Sequence, residues 1–382
     1  MNPSSENTIA YRQCTRCVMD TTAREITFDA EGQCNYCTEF IERAGSELAK
    51  SPATRVREYE ELVSLVKAEG KGKRYDCIIG VSGGVDSSWA IVQAVRSGLR
   101  PLAVHMDNGW NSELAQSNIE NLIRTLGVDL FTYVVDWDEY RALQQSFFDA
   151  DVIDIELLYD NAMLAVNYQQ AHEWKTRFIL SGTNLATEGM RIPSSWNWLK
   201  YDKRNIKSLL KSSSDASLRS FPAIGTMGYI WNVAVRRIRW VSFLDYVDYQ
   251  KADAITQLVR DFNYKPYPHK HYESVFTRLY MGHILPTKFN VDMRRVDYSN
   301  LIVSGQMTRD VALTELEPSP YPSQADLDSD ITYFLKKLGW TREQWDTYLS
   351  RPERPHTDFA SESGLYSFAR SLSRRGQSAS AT

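Results

Sequence analysis

The stretch Ser82-Gly83-Gly84-Val85-Asp86-Ser87-Ser88, reached from the apolar run Cys77-Ile78-Ile79-Gly80-Val81, constrains the fold of this chain more than any other. A short β-branched run reads as a buried strand, and the two glycines permit a tight turn. Trp89-Ala90-Ile91-Val92-Gln93-Ala94-Val95 then reads as a helix. Loop hydroxyls and free backbone N–H groups therefore meet at a helix N-terminus, where the dipole favours an anion. The loop is a phosphate cradle, though not of the Gly-Lys-Ser/Thr kind, because no lysine follows that could reach a terminal phosphate. A plain strand–turn–helix junction would need neither three serines nor an aspartate inside the anion site.

Four of the five cysteines fall as Cys14-x2-Cys17 and Cys34-x2-Cys37, with sixteen residues between the pairs. Two knuckles at this spacing can place four thiolates round one zinc ion, leaving no open position for catalysis. Disulfides are disfavoured if the chain is cytoplasmic. The expected task of the metal is to fold a segment too small to build its own core. Cys77 lies in the strand before the loop and reads as a core thiol.

With 382 residues, 43% apolar and 24% charged, the chain has room for one large core or two to three domains. A net charge of −4 argues against a dominant polyanion-binding surface. The first residues, Met1 to Asn7, show no basic and apolar leader, and no apolar run approaches the roughly 18 residues of a membrane span. A cytoplasmic protein with no membrane partner is expected.

Beyond a charged helical stretch, Ile41 to Gly70, strands and helices alternate from Tyr75. Strands at Pro101–Met106, Val128–Val135 and Phe178–Leu180 are separated by helical periods ending near Leu126, Ala150 and Trp174. Such alternation predicts a doubly wound parallel α/β sheet with ligands at the carboxyl ends of its strands. Three polar strand ends should meet there: Ser82–Ser88, Asp107–Trp110 and Ser181–Asn184. Asp107 reads equally well as a turn or capping aspartate. From Glu188 the alternation is expected to end, giving way to an aromatic stretch, Trp196–Tyr201, and a series of helices. The expected division is 1–45 zinc ribbon, 46–187 α/β domain, 188–350 helical substrate-binding region and 351–382 a flexible, Pro- and Ser-rich tail.

The loop resembles the Ser-Gly-Gly-x-Asp-Ser pyrophosphate loop (PP-loop) of the ATP pyrophosphatase superfamily, whose members adenylylate an oxygen that a nitrogen or sulfur nucleophile then displaces. The C-terminal half narrows the likeness. Lys270-His271-Tyr272-Glu273-Ser274, Leu285-Pro286-x-Lys288-Phe289, Asp292-Met293-Arg294-Arg295 and Ser304-Gly305-Gln306-Met307-Thr308-Arg309 follow in order. Together with the cysteines and the loop, they resemble the N-acetyl sugar amidotransferases of bacterial surface-polysaccharide and nonulosonic-acid biosynthesis. Met293 stands where that family is expected to carry lysine.

The resemblance implies conversion of an N-acetyl group on a nucleotide-linked sugar to an acetamidino group, with ATP cleaved to AMP and pyrophosphate. It implies ATP, Mg²⁺ and structural Zn²⁺ as cofactors. Ser82, Gly83, Gly84, Asp86, Ser87 and Ser88 would hold pyrophosphate, with Asp86 also on Mg²⁺, while Asp107, Gly182 and Thr183 would border the nucleotide. Asp86, Lys270, Glu273 and Arg294 are the catalytic candidates, with His271 and Arg295 beside them, although each distal residue could equally serve a salt bridge or cap. The aromatic stretch could stack a sugar or uracil, yet core packing is its more ordinary use. With no cysteine evident as a glutaminase nucleophile, the resemblance implies separate glutaminase and ammonia-channelling subunits like the imidazole-glycerol-phosphate synthase pair.

Two other classes remain open at this level. A PP-loop RNA-modifying enzyme, tRNA thiolase or lysidine-synthetase-like, would use the basic segment Lys200–Lys211, but the acidic balance leaves no nucleic-acid partner expected. A non-catalytic zinc-ribbon adaptor would have no use for an intact Ser82–Ser88 loop.

Overall fold

The computed structural model describes residues 10–213, 217–267 and 272–379. Its centre is a five-stranded sheet, β1 (Cys77–Gly80), β2 (Pro101–Asp107), β3 (Asp129–Val134), β4 (Phe178–Ser181) and β5 (Arg239–Ser242). The spatial order is β3-β2-β1-β4-β5 and every pairing is parallel. Ile78 lies between Leu102 and Ile179 in register, and as period two requires, Ile78 and Ile79 point to opposite faces. Ile78 joins a core with Ala162 and Val166, whereas Ile79 joins one with Ile91 and Leu122. Apolar residues on both faces explain why the central strands read as continuous apolar runs.

Six helices of the N-terminal half matter for the site: α1 (Asn35–Leu48), α2 (Pro52–Gly70), α3 (Val85–Arg96), α4 (Glu113–Leu126), α5 (Trp137–Asp149) and α6 (Leu157–Glu173). Their ends follow local chemistry. Ser112 accepts from the Ala115 amide to open α4, and Gly127 closes it at φ 65°. The Thr341–Gln344 capping box opens the helix Arg342–Ser350 as its sequence predicts. The helix expected over Glu273–Met281 instead starts at Val275, capped by Ser274, and widens into a π turn over Tyr280–Ile284 ahead of Pro286.

Two expectations are corrected. The sheet does not end with β4, because Arg239–Ser242 adds a fifth strand. This edge strand is four residues long and carries an exposed Arg239, so it lacks the apolar run that marks the inner strands. The segment from Arg351, expected to be loosely attached, packs on the body as far as its side chains are described. Arg351 Nε donates to Asp151 at 2.9 Å, and the fully buried Lys288 ammonium donates to the Tyr348 and Arg351 carbonyls, both at 2.7 Å. Ser361 and the Glu362 amide both donate to the buried Asp202. Its polar residues are the ones that satisfy buried acceptors, which composition alone does not reveal.

His356 pins this segment. It is 3% exposed, stacks on Trp198 at 5.0 Å, and sits with Nδ1 2.8 Å from Asn205 Oδ1. Nε2 accepts the Asp154 amide, so the neutral tautomer is protonated at Nδ1. Burial, and then the nearby Lys200 charge, hold the imidazole down to about 3. The folded state therefore resists protonation that the unfolded chain accepts near its ordinary value, roughly 6.5. Stability is full above that value and is lost as pH falls toward 3. We expect melting temperature to drop across this window in the wild type and to drop less in His356→Gln. Parallel pH profiles for the two proteins would refute the assignment.

Candidate functional site

β1 is the strand at which the sheet reverses direction, with β2 and β3 on one side and β4 and β5 on the other. Such a switch point opens a crevice beyond the strand ends, and the Ser82–Ser88 loop leaves β1 into it. Gly83 takes φ +85°, and a Cβ there would lie 2.9 Å from the Ala115 carbonyl oxygen, so only glycine fits. Tyr264 and Tyr267 donate their hydroxyls to the Gly83 carbonyl at 3.1 and 3.2 Å, fixing the turn from outside. Within the loop, Ser82 and Ser87 hydroxyls lie 3.1 Å apart and Ser87 Oγ donates to the Gly84 carbonyl. No side chain caps α3, which leaves its first amides available to an anion.

The loop borders a cleft of about 660 Å³. Ser82, Gly84, Asp86 and Ser87 line one wall, Ser181, Gly182 and Thr183 another, and α6 contributes Tyr159, Asp160, Met163 and Asn167. Tyr249 donates its hydroxyl to Asp86, and burial together with the Asp86 charge holds that phenol far above its ordinary value. Glu273 reaches the loop from the far half of the chain. Its backbone accepts from the Ser112 amide at 2.8 Å, Val275 donates to Trp110, and a Cβ on Gly84 would lie 2.6 Å from Glu273 Oε1.

A further acidic group, Glu156, also lines the cleft and accepts from Thr277 Oγ1 at 3.0 Å. Burial, and then the Asp160 charge, push its carboxyl up to about 8. Asp160 itself pairs with Lys200 at 2.9 Å. The sequence reading missed Tyr249, Glu156 and Asp160. A signal for the last two was present, since the spacing Glu156-x3-Asp160 puts two carboxylates one helical turn apart at the head of α6. Asp86, the acidic group of the loop itself, offers hard carboxylate oxygens of the kind a magnesium ion prefers.

The four cysteines form a second centre. Their sulfurs all lie within 4.8 Å of one another, with Cys14 to Cys37 at 4.0 Å and Cys17 to Cys34 at 3.7 Å. Tetrahedral zinc with its usual sulfur bonds needs about 3.8 Å between sulfurs, so the set fits. Amides of Arg16, Cys17 and Cys34 point at Cys14 Sγ, and that of Met19 at Cys17 Sγ, all at 3.2–3.4 Å, the donors a thiolate needs.

Residues 273–373 match the family model described as LPS biosynthesis protein WbpG-like, C-terminal domain. This likeness covers the C-terminal part of the chain alone. No curated protein matches the chain. Among solved structures, an NH3-dependent NAD synthetase from Campylobacter jejuni is similar at 14% identity, over 41% of this chain and 71% of that one, with a TM-score of 0.28. NMN synthetase from Francisella tularensis gives 17%, 58%, 100% and 0.29, and a 4-thiouridine synthetase in complex with RNA and ATP gives 14%, 69%, 53% and 0.31. At these values none of the three carries an argument about activity.

The matched segment brings Glu273 to the loop, but it does not bring Arg294 there. Arg294 is engaged by Asp292 at 2.7 Å and by the carbonyls of Glu315, Leu316 and Pro318, closing a helix end. Arg295 donates to the Val18 carbonyl and pairs with the buried Asp20 at 3.0 Å. Both arginines are structural, contrary to the substrate role expected of them. Asp107 likewise takes its turn role, accepting from the Gly109 amide at 2.8 Å outside the cleft lining. Gly83 and the buried Ser88 do not line the cleft either. Trp196 and Trp198 pack in the core region and donate to Thr22 and Asp202, so the aromatic stretch is used for packing. Lys270 and His271 lie outside the described residues.

Gly182 faces the cleft, but its constraint is steric. A Cβ there would lie 2.5 Å from the Asp86 carbonyl carbon and 2.6 Å from the Ser87 amide nitrogen. Gly182→Ala is expected to push β4 off the start of α3, costing roughly 1–3 kcal/mol of stability and a larger share of ATP cleavage. Unchanged kinetics in a variant of normal melting temperature would contradict this.

Proposed function

We propose that the chain is an ATP-dependent amidotransferase, converting the N-acetyl group of a nucleotide-linked sugar to an acetamidino group with release of AMP and pyrophosphate. One observation carries this reading: the WbpG-like domain begins at the residue, Glu273, whose carboxylate stands against Gly84 of the PP-loop. A polysaccharide-biosynthesis domain thus closes over an anion cradle.

The chemistry suits the cleft. An amide carbonyl is a weak electrophile whose oxygen does not leave. Transfer of adenylate to that oxygen gives an imidate that ammonia can attack, after which AMP departs. The enzyme must hold pyrophosphate, offset charge at the α-phosphorus and exclude water. Ser82, Gly84 and Ser87 line the cleft beside the uncapped start of α3 and would hold pyrophosphate, Asp86 would hold the magnesium that accompanies it, and Gly182 and Thr183 would border the nucleotide. Glu273, in the same lining, would orient the amide. The sheet is covered by helices on both faces, and among the described residues no helix is long and apolar enough to cross a membrane.

Ammonia is proposed to come from separate glutaminase and channelling subunits. Four of the five cysteines form the thiolate cluster, and the fifth, Cys77, is fully buried in β1 with its thiol pushed up by burial. None is poised as a glutaminase nucleophile. Incubation with ATP, ammonium and candidate nucleotide-sugars should yield AMP and lower the sugar's mass by about one unit, since NH replaces O on the activated carbon. ADP formation, or a mass gain of about sixteen from sulfur replacing oxygen, would overturn the proposal. Glutamine alone should not support the reaction of the isolated chain.

A further inference from the structure

We infer that the Glu156 end of the cleft receives the nitrogen nucleophile and that Glu156 takes the proton this nitrogen must lose. The inference rests on the amidotransferase reading and adds a residue that the sequence did not suggest. Glu156 precedes α6 and faces the cleft, while Thr277, four residues after Glu273, fixes its Oε1 at 3.0 Å. Its Oε2 has no hydrogen-bond partner among the described residues. The neighbouring carboxylates are committed. Asp86 is held by Tyr249, and Asp154 and Asp160 share Lys200 at 2.6 and 2.9 Å.

Glu273 abuts Gly84 of the pyrophosphate loop, whereas Glu156 meets Thr277. Tyr159 also lines the cleft, its phenol pushed up by burial and then by the charges of Glu156, Asp160, Glu273 and Asp107. The groups whose charge bears on Glu156 come from every side: Asp154, Asp160 and Tyr159 beside it, Tyr140 from α5, Tyr280 from the π turn, and Lys200. Burial and Asp160 outweigh Thr277 and Lys200, so the carboxylate is a stronger base than an ordinary one and still ionises near neutral pH.

The ammonia lone pair forms a bond to the carbon of the protonated adenylyl imidate, and the C=N pair moves onto the sugar nitrogen. The added nitrogen, now –NH3⁺, gives one proton to Glu156. The C–O bond to AMP then breaks, its electrons leaving with the phosphate oxygen, and a nitrogen lone pair re-forms the double bond of the amidinium.

Glu156→Gln separates this role from binding. With full-length enzyme and a nucleotide-sugar that the wild type converts, we expect pyrophosphate–ATP exchange to stay within about threefold, and amidine formation to fall by on the order of 10²–10⁴. At fixed free ammonia, wild-type amidine formation should rise as Glu156 ionises near pH 8, and this limb should vanish in Glu156→Gln. Thr277→Val, which removes a hydrogen bond to the charged form, should move the limb to higher pH and remains informative if the glutamine variant does not fold. Amidine formation at the wild-type rate in Glu156→Gln, equal loss of both half-reactions, or an unmoved limb in Thr277→Val overturns the inference. A wild-type enzyme that forms no amidine with any candidate sugar overturns the underlying reading instead.

Discussion

Asp86→Asn is expected to lower AMP formation by on the order of 10²–10³-fold while leaving the melting temperature nearly unchanged. The carboxylate stands in the first turn of α3, lines the cleft beside Ser87, and is the acidic group of the loop itself. A full negative charge there is ill-suited to a phosphate cradle unless a cation sits between them, which is the reason to assign it to magnesium. Asparagine keeps the size and the Tyr249 contact but removes the charge, so the loss should appear in the magnesium dependence before it appears in nucleotide affinity. Tyr249→Phe should cost less, roughly tenfold, because it frees the carboxylate to rotate without discharging it. Steady-state AMP release over a magnesium titration measures both. Asp86→Asn with wild-type turnover would leave the loop a binding site without this catalytic role.

The second large effect concerns the thiolate cluster. Zinc content should be one per chain, and Cys17→Ser or exhaustive chelation should unfold the N-terminal segment. Small zinc modules draw on the order of 10 kcal/mol of folding free energy from the metal, more than a typical domain has to spare. Here the damage should spread. Arg309 donates to the carbonyls of Cys17 at 3.0 Å and Cys14 at 3.1 Å, Arg295 to that of Val18, and Ser299 Oγ accepts the Val18 amide. Loss of the knuckles leaves these buried groups without partners. A marked fall in melting temperature and early proteolysis before Pro52 are the expected readouts, with metal analysis alongside. Metal-free protein melting like the metal-loaded form would refute a structural role.

These two centres were legible because their chemistry is local: seven residues define the loop and two Cys-x2-Cys pairs define the cluster. The sheet was equally legible through its four apolar strands, whose flanking turns sit beside them in sequence. What failed was whatever depends on distant partners. Arg294 and Arg295 read as charges awaiting a substrate, yet they hold carbonyls and carboxylates of their own chain, up to 277 residues away. Pro352 and Pro355 read as a loose tail, yet they flank residues that fill acceptors on Asp151 and Asp202. A side chain's type states what it can bond, and only the fold states with whom. Glu156 escaped notice for the same reason, since its cleft position depends on α6 meeting Thr277 across 121 residues.

The clamp that Arg309 places on Cys14 and Cys17 also sets an order of events during synthesis. The four thiolates lie together within residues 14–37 and can capture an ion long before position 309 is made. Their docking surface does not exist until the ribosome has polymerised beyond position 309. Closing so long a loop is entropically slow, and chains rich in such contacts fold late. A nascent chain should therefore carry a metallated knob that swings free until Arg309 has been made, and termination near residue 300 should strand it undocked.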